Sequence, residues 1–191
     1  MSEAEFEAFF SDEDVRAEWV NGEAILYMPV KTIHSRLVIW LTQLIGFFVA
    51  QKNLGEVLGP EVEIRLPGLR RIPDLFFVSV ERQQIVKETH IEGAPDLIIE
   101  IVSADSVDRD WHDKRVEYER IGVREYWVID PEYNRVRVFQ LGTDGTYTTI
   151  QEDAGKVHSN VLNGFWIRPS DLWQDPLPNT LTVLRELGVT N

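Results

Sequence analysis

Residues 96–102, Asp-Leu-Ile-Ile-Glu-Ile-Val, are apolar on both alternating faces apart from one internal carboxylate. Such a strand belongs in the middle of a sheet that is covered on both sides, so the chain has to build layers of helix, sheet and helix. Glu100 breaks the pattern. An unpaired carboxylate in that place costs several kcal/mol, so the position calls for a cation, a hydrogen-bond network or a raised pKa. Residues 72–80, Ile-Pro-Asp-Leu-Phe-Phe-Val-Ser-Val, form a second strand with the same anomaly at Asp74.

The rest of the chain supplies the other layers. Residues 2–10 carry Phe6, Phe9 and Phe10 at helical spacing. Asn21-Gly22, set between two apolar runs, is the signal of a two-residue hairpin. In residues 35–53, Leu37, Leu41, Leu44 and Phe48 recur at i, i+4, i+7 and i+11, which marks a helix that Gly55 is expected to stop. Residues 56–66 read as one or two strand segments around Gly59-Pro60, closed by Pro67-Gly68, and residues 95–102 as the third strand of the series. A helix over 106–121 follows, started by Asp105 or Ser106 and stopped by Gly122. Strand 125–130 comes next, then a hairpin of 134–141 with 147–150. The tail reads as irregular, with a short helix near 181–187. The expected fold is therefore α/β: a mixed sheet flanked by helices, with β-rich additions at both ends, in a single domain over 1–191.

Charge and composition narrow the function. Of 191 residues, 32 are acidic and 19 basic, a net charge of −13 that attracts no nucleic acid through the overall field. The positive charge is concentrated, since residues 64–137 hold 12 of the 19 basic side chains. The chain has no cysteine, which excludes thiol nucleophiles, iron–sulfur clusters and Cys-ligated zinc, and leans towards a reducing cytoplasm. The start, MSEAEFEAFFSDED, is unlike a secretory signal, and the apolar stretch 37–50 is too short to span a bilayer. The expectation is a soluble, cytoplasmic protein that does not engage membranes.

Two acids on neighbouring strands repel unless a cation lies between them, and two carboxylates, a backbone carbonyl and waters form the oxygen-rich site Mg²⁺ prefers. The plainer alternative is that Asp74 caps a turn after Pro73 and Glu100 pairs with an arginine in the core. A third component comes from the following helix, where Val107, Trp111, Lys114, Tyr118 and Ile121 share one stripe. Lys114 either snorkels to solvent along its stem or points at the two acids. Its neighbours Asp108, Asp110, His112, Asp113, Arg115, Glu117 and Glu119 read as a solvated face.

Pro73-Asp74, then Glu100-Ile101-Val102, then Lys114, in a helix–strand–strand–strand–helix–strand order, resembles the PD-(D/E)XK nuclease superfamily. More narrowly, the segments NGEAILYMP, IPDLFFVS, EGAPDLIIEIVSADS and DKRVEYERIGVREYWVIDP resemble the putative restriction endonuclease family found in bacteria. The resemblance runs from about Glu5 to Leu141. It implies a restriction-endonuclease-like core, with Asp74, Glu100 and the backbone carbonyl of Ile101 as ligands of Mg²⁺ or Mn²⁺. Val102 stands where the superfamily has a lysine, and Lys114 replaces it. His34 matches a position where the family often has histidine, or is simply a helix-terminal histidine with a structural hydrogen bond. Glu23 and Glu61 rank below it, as further acids of the site or as exposed strand residues.

The expected activity is metal-dependent hydrolysis of DNA phosphodiester bonds. Asp74 and Glu100 hold the ion that activates water, Lys114 orients that water or stabilises charge on the phosphate, and Arg70, Arg71, Arg109 and Arg115 are candidates to hold the backbone. Two rivals are a catalytically inactive nucleic-acid-binding or regulatory module that keeps the nuclease fold, and a metal-free acid–base hydrolase, for instance on glycosides. A chain rich in aromatics, cutting two antiparallel strands, is also expected to form a C₂ homodimer.

Overall fold

The computed structural model describes residues 1–10, 17–26, 30–103 and 106–190. Two helices come early, α1 (Glu3–Phe10) and α2 (Thr32–Lys52), with the hairpin strands β1 (Ala17–Val20) and β2 (Glu23–Leu26) between them. The strands β3 (Gly55–Leu58), β4 (Glu63–Leu66), β5 (Leu69–Arg71), β6 (Leu75–Ser79), β7 (His90–Glu92) and β8 (Leu97–Ile101) follow. A turn of π-helix, Arg109–Asp113, leads into α3 (Lys114–Ile121), then β9 (Glu125–Asp130), β10 (Arg135–Leu141) and β11 (Tyr147–Ile150). The chain closes with β12 (Val157–His158), β13 (Trp166–Ile167), a 3₁₀ turn over Pro169–Trp173 and α4 (Thr180–Glu186).

The main sheet has six strands in the order β11-β10-β9-β8-β6-β3, antiparallel except for the β8–β9 pair, which α3 connects. The fold is the expected α/β type, a mixed sheet flanked by helices. As the double-sided apolar pattern requires, β8 lies inside the sheet with all five residues buried. Leu97, Ile99 and Ile101 face the core around α2, where Leu37, Leu41, Leu44 and Phe48 are fully buried. Ile98 and Val102 face the opposite core with Tyr118 of α3.

Several boundaries differ from the expectations. Helix α2 is 21 residues long with a hydropathy of 1.5, so by length and composition it could cross a membrane, contrary to the estimate from 37–50. Ile39 and Phe47 extend the apolar count on its outer face, while its inner face is spent on the core. It ends at Asn53 in the left-handed region (φ 52°), not at Gly55. Gly55 instead begins β3, where a Cβ would lie 2.1 Å from the Val78 carbonyl oxygen, so close pairing of β3 with β6 requires glycine. The tail is not irregular: it forms a hairpin, a 3₁₀ turn and α4, and Leu162, Phe165, Leu172 and Leu184 are buried in the α2 core.

A second sheet, β2-β1-β5-β4-β7, was not legible as such. Asn21 and Gly22 (φ 49° and 94°) close its first hairpin, as a tight two-residue turn requires. The segment 55–66 is split between the two sheets, β3 in one and β4 in the other. The chain returns from β5 to β6 through Ile72, Pro73 and Asp74, so Asp74 lies where it passes from one sheet to the other.

Candidate active site

The register of β6 on β8 pairs Leu75 with Ile99 and Phe76 with Ile98. Continued by one residue, it sets Asp74 opposite Glu100, and opposite residues share a face of the sheet. Asp74 Oδ2 accepts the Ile101 N–H at 2.8 Å and lies 3.2 Å from His34 Nε2 in the first turn of α2. Burial pulls the His34 pKa down, but the hydrogen bond to Asp74 and the nearby Asp74, Glu100 and Asp110 charges outweigh it, and the imidazole titrates above its ordinary value.

Glu100 is buried on the same face. Its Oε1 accepts the Tyr118 hydroxyl at 2.8 Å and lies 3.0 Å from Lys114 Nζ. Burial pushes its pKa up, Lys114 pulls it back, and Asp74, Asp110 and Glu18 add to the rise, which brings it to about 8. Lys114 Nζ also lies 2.9 Å from Asp110 Oδ1, and Ser106 Oγ donates to Asp110 Oδ2. The ammonium therefore bridges two buried carboxylates, with its side chain only 5% exposed, and does not snorkel.

Asp110 was misplaced by the helical stripe. The π turn adds a residue ahead of Lys114, so Asp110 takes the inward place expected of Trp111 and is 2% exposed. The Tyr126 hydroxyl, donating to the Asp110 carbonyl at 2.8 Å, ties this turn to β9. Glu117 does not lie on a solvated face either, since it accepts Arg71 Nε at 2.9 Å, and Glu119 accepts the Tyr147 N–H. Asp105, one of the two expected helix starts, is outside the described residues.

A second charged group holds the Asp74 segment. Arg71, 2% exposed, donates to Glu18 at 2.6 Å and to both oxygens of Glu117, and Glu18 Oε1 accepts the Ile72 N–H at 2.9 Å. Glu18, Asp110, Glu117 and Tyr118 were not singled out for this neighbourhood. Tyr118 carried a usable signal, its place on the Lys114 stripe, and Glu18 a weaker one, a carboxylate next to the apolar Trp19-Val20.

Among the described residues no three His, Asp or Glu side chains form a metal-binding cluster. The candidate donors are the two carboxylates and, as the family resemblance implies, the Ile101 carbonyl, all hard oxygens. Among the described residues, both protein contacts of Asp74 fall on Oδ2 and both of Glu100 on Oε1, so Oδ1 and Oε2 are uncommitted. That suits Mg²⁺, which keeps several waters and takes one or two carboxylates.

A family model described as "Putative restriction endonuclease", Uma2, matches residues 3–170, most of the chain. The chain belongs to the Uma2 family. Its fold is shared by the crystal structure of a putative nuclease of the DUF820 group from Anabaena variabilis ATCC 29413, with a TM-score of 0.74 at 18% identity, covering 91% of this chain and 97% of that one. No curated protein matches.

Most of the remaining candidates of this Uma2 chain are exposed or already engaged. Glu23 and Glu61 are exposed. Arg70 pairs with Glu3 at 2.8 Å and Glu7 at 2.5 Å, and Arg71 is buried, so neither offers a guanidinium to a substrate backbone. Arg109 is half-buried, while Arg115 lines an open groove beside α3. His34 faces a cavity of about 240 Å³ that Lys31, Val102, Ser103 and Glu132 also line.

Proposed function

We propose that this Uma2 protein is a metal-dependent endonuclease that hydrolyses phosphodiester bonds in DNA. The observation that carries the proposal is the convergence of Asp74, Glu100 and Lys114, two of them with carboxylate oxygens left uncommitted beside the ammonium. Asp74 and Glu100, with the Ile101 carbonyl, are the residues that would hold Mg²⁺ or Mn²⁺, and such an ion lowers the pKa of bound water and neutralises charge on the phosphate.

The chain's own residues prepare that site. Tyr118 and Lys114 fix the Glu100 carboxyl from one side and leave its other oxygen available. Asp110, itself fixed by the Ser106 hydroxyl, holds the ammonium, so it stands ready for charge that develops on the phosphate without reorganising. The Ile101 N–H and His34 orient Asp74, and His34, opening on the cavity, can hold or release a proton there. Glu18 and Arg71 keep the Ile72–Asp74 passage from shifting.

The same proposal takes the chain as one domain over 1–191, cytoplasmic, and a homodimer, because cutting two antiparallel strands calls for two sites. The test is cleavage of plasmid and branched DNA with Mg²⁺, with Mn²⁺ and with excess chelator. The expected result is cutting with metal only, lost in Asp74→Ala together with calorimetric Mn²⁺ binding. Undiminished cutting in chelator, or unchanged Mn²⁺ binding by Asp74→Ala, would overturn it.

A further inference from the structure

An arginine groove lies on the far side of α3 from Asp74. It has a volume of about 550 Å³ and runs between the helix, with Trp111, His112 and Arg115, and β10, with Arg135, Arg137 and Phe139. The register places it relative to the acids. Glu100 pairs with Val128, and Val128 with Arg137, so Arg137 stands in the same cross-strand row as Glu100 and on the same face of the sheet. Two strand spacings separate their backbones, roughly 10 Å.

The guanidiniums are arranged for an anionic guest. Arg135 is held by Asp130 at 2.7 Å and stacks between Trp111 (4.8 Å) and Tyr133 (4.9 Å), which leaves its side chain 52% exposed. Arg115 lies 5.8 Å from the Phe139 ring centre. Among the described residues neither Arg115 nor Arg137 has a carboxylate within ion-pair distance, and Asp108 is the only acid in the lining. With Arg135 balanced by Asp130, two further guanidiniums face one lining carboxylate, a local positive excess against the −13 of the whole chain. Charges farther away than about 8 Å are screened at physiological salt, so a phosphate in the groove responds to these arginines before the distant acids.

The groove and the His34 cavity are near neighbours through their linings. The His34 cavity shares Val102, Ser103 and Glu132 with a smaller one of about 130 Å³, and that one shares Val107 with the groove.

We infer that this groove binds the sugar–phosphate backbone of one nucleic-acid strand flanking the reacting phosphate, with Arg115, Arg135 and Arg137 on its phosphates. The inference rests on the nuclease reading for the identity of the guest, and it supplies a contact that neither Arg70 nor Arg71 can make. Arginine suits the task because its planar fork matches phosphate oxygens bidentately.

The test is binding of a fluorescein-labelled single-stranded oligonucleotide in chelator, followed by anisotropy across a NaCl series. Each lost phosphate contact flattens the slope of log K against log[NaCl] by about 0.7 for a single strand, so Arg115→Gln/Arg137→Gln should flatten it by about 1.4. Arg137→Lys in the Arg115→Gln background should recover part of that change. Lys156→Gln, an exchange in the C-terminal part of the chain, should leave the slope alone, and circular dichroism melts should match the parent. An unchanged slope in the double variant, an equal change in Lys156→Gln, or no oligonucleotide binding by the parent would each overturn the groove. If the parent binds through these arginines yet cuts no DNA with Mg²⁺ or Mn²⁺, the groove stands and the nuclease reading falls. If it cuts but the slope ignores the arginines, the nuclease reading stands and the groove falls.

Discussion

Two glutamates, Glu100 on β8 and Glu125 on β9, are both buried in the main sheet, one on each face, and they are satisfied in opposite ways. On the α2 face, Glu125 uses both oxygens on neutral donors: Oε1 accepts Trp127 Nε1 at 2.6 Å, and Oε2 accepts the N–H groups of Asn160 (2.7 Å) and Val161 (3.1 Å). On the α3 face, Glu100 takes a hydroxyl and an ammonium on one oxygen and leaves the other uncommitted, with Asp74 as its neighbour. Burial raises both pKa values, but the hydrogen bonds around Glu125 oppose the rise, whereas Asp74 and Asp110 reinforce it at Glu100. A buried acid with a complete set of donors joins segments together. One held in place but incompletely satisfied, next to a second acid, is suited to binding something else.

The sharpest way to break this comparison is Glu100→Gln, which keeps shape and removes charge. Cleavage should fall by about 10³-fold or more, since a metal contributes several kcal/mol to the transition state. The melting temperature should change little or rise, because Lys114 keeps Asp110 and the repulsion with Asp74 is relieved. A variant that cuts normally would reduce Glu100 to a core ion pair. Glu125→Gln should do the reverse. Its amide cannot accept at both ends, so a buried N–H of the 160–161 segment or of Trp127 loses its partner, at a cost of about 1–3 kcal/mol in urea denaturation. Activity per folded molecule should stay at the parent value.

The smallest effect is the pH dependence of stability in the metal-free protein. The folded-state pKa of Glu100 lies above the ordinary 4.5, so the folded state holds the extra proton. Its contribution is therefore full below about pH 4.5 and is lost as pH rises towards about 8. Melting temperatures from pH 5 to 8 should fall with a slope that is shallower in Glu100→Gln. A slope identical to the parent's would mean that Glu100 does not carry the shift.

Much of this site was visible residue by residue. Asp74 and Glu100 stood out because carboxylates interrupt apolar strands, and Lys114 because a cation interrupts an apolar helical stripe. Glu125 was not visible as a buried acid, since it opens its strand, where a carboxylate breaks no pattern. Its donors come from Asn160 and Val161, some 35 residues away. Arg70 and Arg71 looked available because nothing nearby in sequence pairs with them, whereas Glu3, Glu7, Glu18 and Glu117 reach them from other elements. Arg135 and Arg137 drew no notice as alternating residues of a hairpin strand, until α3 packed beside them.

The amino-acid sequence by itself determined the layered fold, because alternation in β8 and the 37–41–44–48 spacing in α2 are local periodicities that dictate which faces need cover. It also determined which side chains could carry chemistry. The tertiary structure alone decided which of them meet: the second sheet, built by pairing β1 with β5 and β4 with β7, the π turn that brings Asp110 inward, and the packing of the tail on α2. These rest on contacts between residues far apart in the chain, and such contacts leave no period in the sequence. Hydrogen bonds such as that from Tyr126 to the Asp110 carbonyl, which set a helix phase from outside the helix, are fixed only when the elements have packed.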